Sequence, residues 1–154
     1  MKIIKEFNSK KILSLFWEQD GSPSFNAKGI AVGVFSGCFP FFGFQTLLGI
    51  FFARIINGNL LLAAIGTWIS NPFTYIPLYI FNFKVGSLFF KNNSENINFK
   101  DLIGDDMWNQ GWIFTSRLLL GSCLVGLFFG LFFGSLTFYF YWFRSKKKIN
   151  LDLH

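Results

Sequence analysis

Three long runs of the chain carry almost no charge, and they set what it can fold into. Residues 58–83 hold no charged side chain, residues 118–143 hold none, and residues 29–56 hold only Arg54. A bilayer core about 30 Å thick is crossed by about 20 apolar residues of α-helix, and every one of the three runs is longer than that. Composition agrees. Hydrophobic residues make up 52% of the 154, and charged residues only 14%, against about 25% in an ordinary soluble domain. There is too little polar side chain here to clothe such a core in water. The expectation is an all-α, polytopic integral membrane protein.

The charges that exist sit at the edges. Lys2, Lys5, Lys10, Lys11 and Lys28 precede the first run, and Arg144, Lys146, Lys147 and Lys148 follow the last, within a net charge of +6. Lysine-rich flanks mark the cytoplasmic side and attract anionic headgroups. Both termini are therefore expected in the cytoplasm, and anionic membrane lipids are the expected partners. No nucleic-acid partner is expected from charge arranged this way. The start of the chain lacks the compact apolar run and small-residue cleavage site of a secretory signal. Cys38 and Cys123 both fall within apolar runs, where a free thiol acts as a small hydrophobe.

Five parts follow. Residues 1–28 form a basic cytoplasmic or interfacial arm, ending near the Asp20-Gly21-Ser22-Pro23 breaker. Residues 29–90 form a core of two broken helical segments. The first is interrupted around Pro40 to Gly43; the second is interrupted at Ser70-Asn71-Pro72 and again at Pro77, with a turn at Asn57-Gly58-Asn59 between them. Residues 91–117 are a polar, acidic loop, residues 118–143 a continuous transmembrane helix and residues 144–154 a basic tail. Gly126, Gly130 and Gly134 recur every fourth residue of that helix. Small residues so spaced let two backbones approach closely, either within the chain or against a second copy or another membrane protein.

If both ends are cytoplasmic, the number of full crossings is even. Three runs crossing once each would leave the tail outside. The preferred arrangement makes the first broken segment re-entrant from the cytoplasmic side, the second segment an outward crossing and the last helix the return. The alternative is two proline-kinked crossings.

Catalytic groups are missing from the apolar runs. The single histidine is His154, and no acid lies within the three runs. There is no nucleophile–base set, metal-ligand cluster or phosphate-cradling loop, so neither enzymatic activity nor a metal or cofactor is expected. What remains are polar residues placed where a membrane tolerates them least. Arg54 is either a snorkelling anchor or a fork for an anionic group. Gln45 and Thr46 follow the first break, and Asn71 and Thr74 flank Pro72. They either satisfy backbone groups freed by the breaks, or line a site where two interrupted helices meet, as in transporters. A carrier for an anionic lipid or small solute is the first expectation, with Arg54, Gln45, Asn71 and Thr74 as its site. A non-catalytic membrane scaffold or assembly partner is the alternative.

With these residues in view, the chain resembles a bacterial family of membrane proteins, the domain of unknown function 2062. The resemblance is carried by Pro40, Gly43, Gln45 and Thr46, by Arg54 with Asn59, and by the run Gly66-Thr67-Trp68-Ile69-Ser70-Asn71-Pro72-Phe73-Thr74 with Pro77. It implies a small protein of a bacterial inner (plasma) membrane with several hydrophobic segments, and no particular activity.

Overall fold

A computed structural model describes residues 21–41, 43–90 and 107–152. Most of the expected basic arm and acidic loop lies outside the described residues. Within them every regular element is helical. Helix α1 spans Pro23–Gly37. Ser22 caps it, its Oγ accepting from the Phe25 N–H at 3.2 Å, and Pro23 takes the first helical position, where its missing N–H costs nothing. The expected breaker is thus a helix start, well before residue 29.

Helix α2 spans Phe44–Ile55, entered through Gly43 at φ 81. That left-handed conformation is one that glycine adopts freely. Helix α3 spans Leu60–Gly66 and tightens into a 3-10 turn over Thr67–Ile69. Asn59 caps α3 by accepting from the Leu61 and Leu62 N–H groups at 3.0 and 3.1 Å. Helix α4 spans Tyr75–Ser87. The expected breaks near Pro40 and Asn71-Pro72 both occur. Pro77 does not break anything: it lies in the first turn of α4, among N–H groups that have no intrahelical partner anyway.

Helix α5 spans Met107–Asp152. It begins well before Leu118, so the last part of the expected loop is helical. Arg117, placed in that loop from sequence, is a buried helical residue whose guanidinium lies 5.7 Å from the centre of the Phe90 ring. Among the described residues, only α5 is both long and apolar enough to cross a membrane. The other helices have 15, 12, 7 and 13 residues, short of the ~20 a crossing needs.

All packing is organised along α5. Added Cβ atoms at Gly126, Gly130 and Gly134 would press on Phe35, Ala31 and the Ala27–Ala31 turn of α1 respectively. Numbers rise on one helix as they fall on the other, so α1 runs antiparallel to α5. Helix α4 does the same further up. Gly121 of α5 meets the Asn82 carbonyl, and Gly86 of α4 meets the Arg117 carbonyl, so closely that neither position has room for a side chain. Phe83 stacks on Phe114 with ring centres 4.9 Å apart. Helices α1 and α4 therefore pack on successive stretches of α5, α4 at Phe114 to Gly121 and α1 at Gly126 to Gly134, on different sides of it.

Between them, α2 and α3 form a hairpin on α1. Gly29 and Gly33 of α1 meet the Asn59 and Ala63 carbonyls of α3, and Gly49 of α2 faces Gly33 and Thr67. Helix α1 thus uses one glycine ladder, Gly29-Gly33-Gly37, against the stretch from the Asn59 cap through α3 to its 3-10 turn, while α5 uses another against α1. Backbones this close replace large side chains as packing material. The buried apolar cluster is correspondingly small: Ile30, Val34, Leu62 and Tyr141.

Candidate functional site at the meeting of the two breaks

The first break ends α1 at Gly37 and leaves carbonyls without helical partners. Three side chains from elsewhere reach them. Asn82 of α4 donates through Nδ2 to the Cys38 carbonyl at 2.8 Å and to Ser122 Oγ of α5 at 3.0 Å. Gln45, in the first turn of α2, donates through Nε2 to the Phe39 carbonyl at 2.6 Å. Tyr79 of α4 donates its hydroxyl proton to the same carbonyl at 3.2 Å.

These groups also join one another. Gln45 Nε2 lies 2.8 Å from the Tyr79 hydroxyl and 3.3 Å from Ser70 Oγ, and Ser70 Oγ lies 3.4 Å from the Tyr79 hydroxyl. Ser70 belongs to the second break, so the two breaks meet at this clasp. At the next residue of α2, Thr46 Oγ1 contacts Thr67 Oγ1 at 3.1 Å. Thr67 donates to the Ala64 carbonyl at 2.7 Å, so Thr46 is the donor of the shared bond.

The second break is closed differently. Asn71 Oδ1 accepts from the Phe73 and Thr74 N–H groups at 2.9 and 3.1 Å. Thr74 Oγ1 accepts from the Asn71 N–H at 3.0 Å and donates to the Ile69 carbonyl at 2.7 Å. This is a self-contained turn of short polar side chains on their own backbone. Pro72 and Phe73 project from it, exposed.

Of the residues expected to share a site, Gln45 and the second break come together and Arg54 does not. Arg54 lies nine residues along α2, about 14 Å at ~1.5 Å per residue. It is exposed in the last turn of that helix, beside the Asn57 turn. Asn59 serves the opposite end of the hairpin from the clasp, where its Nδ2 donates to Asn26 Oδ1 at 2.8 Å. Gly43 is exposed and Pro40 half-buried at the edge of the first break. Tyr79, Asn82 and Ser122 were not singled out from sequence. They sit within apolar runs, and a buried Asn or Ser there was the available signal. Among the described residues no group of His, Cys, Asp and Glu is arranged to hold a metal ion.

Comparison with known proteins gives one match. The model of a family described as uncharacterized proteins conserved in bacteria (DUF2062) covers residues 9–150. No curated protein and no solved structure matches. Since the match covers nearly the whole sequence, the chain belongs to this bacterial family.

Proposed function

We propose that this member of the family is a two-crossing membrane protein that carries an anionic lipid or a small anionic solute past its interrupted crossing. One crossing is α5. The other is α1 and α4 together, laid end to end in the opposite direction, with the α2–α3 hairpin returning to the side from which it came. Lys28, Arg54, Arg144 and Lys146 then share one side, and the Ser87 end of α4 and the Met107 end of α5 face the other. This is the even number of crossings that the basic flanks require.

Support for the membrane comes from an inverted distribution of side chains. Asn26, Ser36, Asn82 and Ser122 are almost wholly buried, while Phe44, Leu47, Phe51, Phe128, Leu131 and Leu136 are exposed. Water-soluble monomers rarely expose so much contiguous apolar surface. Hydrocarbon accepts it, provided the polar backbone is satisfied inside.

The observation that carries the carrier reading is the gap in the second crossing. Helix carbonyls and helix N-termini meet there around Gln45, Ser70 and Tyr79, the arrangement that transporters use near mid-membrane. From Leu118 to Gly126, the level of the gap, is about 12 Å along α5 at ~1.5 Å per residue. Against this, the glycine seam that motivates a scaffold reading is already taken by α1.

The test is reconstitution. Wild type, Gln45→Leu and Tyr79→Phe are placed in liposomes, and transbilayer movement of fluorescent phosphatidylglycerol and uptake of labelled phosphate are followed. Wild type should move one of the two, and both variants should slow it at least about tenfold, a change of ~1.4 kcal/mol. Absence of flux for both probes overturns the carrier reading. Labelling of Asn57→Cys from the same side as the C-terminal tail tests the topology by itself.

A further inference from the structure

Between α1, α2 and α5 lies an open groove of ≈ 300 Å³. Its floor is Gly126 and Gly130, where α5 has no side chain to offer. Phe52 and Ile56 of α2 form one wall, and Val32 and Leu131 border it on α1 and α5. Every lining residue is apolar, so nothing in it would hold a solute through hydrogen bonds. Its α1 lining runs from Phe35 to Ala31, toward the end of α1 that carries Lys28.

Lys28 supplies the second half of the argument. It precedes Val32 by four residues and Phe35 by seven, so the three share one helical face. Lys28 is exposed, and an added Cβ at Gly58 would lie 3.0 Å from its Cβ. That places the Lys28 stem at the turn closing the α2–α3 hairpin, just past Ile56. An apolar trough with a cation at its basic end matches an acyl chain bearing an anionic head.

We infer that this groove holds one acyl chain of an anionic phospholipid, with its phosphate against Lys28. The assignment rests on the membrane reading above and names the ligand class of that reading. Arg54 is not the headgroup contact: it projects from the opposite side of α2 to the Phe52–Ile56 wall, since residues two apart on a helix face away from each other. Fixed glycines make the floor, so the groove is a permanent part of the packing between α1 and α5.

The experiment is native mass spectrometry of the full chain released from nanodiscs of equal phosphatidylglycerol and phosphatidylcholine with identical acyl chains. Wild type should retain one phosphatidylglycerol. Val32→Trp fills the groove from its wall and should lower retention of either lipid about tenfold. Leu131→Trp, at a position exposed by 69%, repeats the block where folding is least at risk. Lys28→Gln should keep a lipid and lose the preference for phosphatidylglycerol about fivefold, as expected for one basic residue near a headgroup. Unchanged retention in both tryptophan variants, or an unchanged preference in Lys28→Gln, overturns the assignment. The two readings fail separately. Lipid retained by wild type and lost in Val32→Trp, without any flux in liposomes, leaves the groove standing and removes the carrier. Flux without groove-dependent retention does the reverse.

Discussion

The two breaks do different jobs by different means. The first, after Gly37, turns the chain back, so that α2 returns along α1. It is held from a distance: Tyr79 and Asn82, some forty residues later, reach its carbonyls. The second, after Ile69, passes the chain on to α4, which continues in the direction of α1. Its turn is closed by its own residues, Asn71 and Thr74, on its own backbone, and Ser70 alone reaches out to the clasp. A reversal exposes a helix end that only another part of the fold can cover. A side-step can be closed locally. The first break should therefore depend on tertiary structure, and the second should behave as a nearly independent turn.

Substitutions can break that contrast. The largest effect is expected where α4 and α5 touch, because their contact presents Asn82 to the first break. Gly121→Leu would drive a side chain into the Asn82 carbonyl and should destabilise the fold by more than about 3 kcal/mol, read from a denaturant titration in mild detergent. Asn82→Leu comes next. It strips partners from the Cys38 carbonyl and Ser122, and about 2–3 kcal/mol should be lost in the same titration. Gln45→Leu and Tyr79→Phe share the Phe39 carbonyl, so their double mutant should fall short of additivity by about 0.5–1 kcal/mol. Full additivity would mean that the clasp is not one unit. Asn71→Ala removes only a local cap, at a cost of about 1 kcal/mol. If it costs as much as Asn82→Leu, the contrast between the breaks is lost. Arg54→Ala, on an exposed helix end, should stay within about 0.5 kcal/mol.

The same contrast explains what the sequence disclosed. The Asn71-Pro72-Phe73-Thr74 turn was legible because every group that closes it lies within a few residues. The helical class, both main interruptions and the apolar length of α5 were legible too, since charge and proline act locally. The clasp was only half visible. Gln45 stood out beside its break, but Tyr79 and Asn82 acquire meaning only once α4 lies next to α1. Gly29, Gly33 and Gly37 repeat the spacing of Gly126, Gly130 and Gly134, but they open a segment expected to be broken, where spacing alone does not announce a continuous packing face. Arg117 was misplaced for a related reason. A charge beside an acidic stretch reads as loop, yet here the aromatic face of Phe90 and the surrounding backbone enclose it.

Helix α5 also fixes an order of events. Of the described helices it is made last, yet both α1 and α4 rest on it. Until Ser122 has been synthesised, Asn82 lacks one of its partners, and the glycine faces that α5 will cover stand open. Contacts that close over so many residues are slow to form. A fragment ending before Met107 would therefore keep the pieces of the first break without the rod that aligns them.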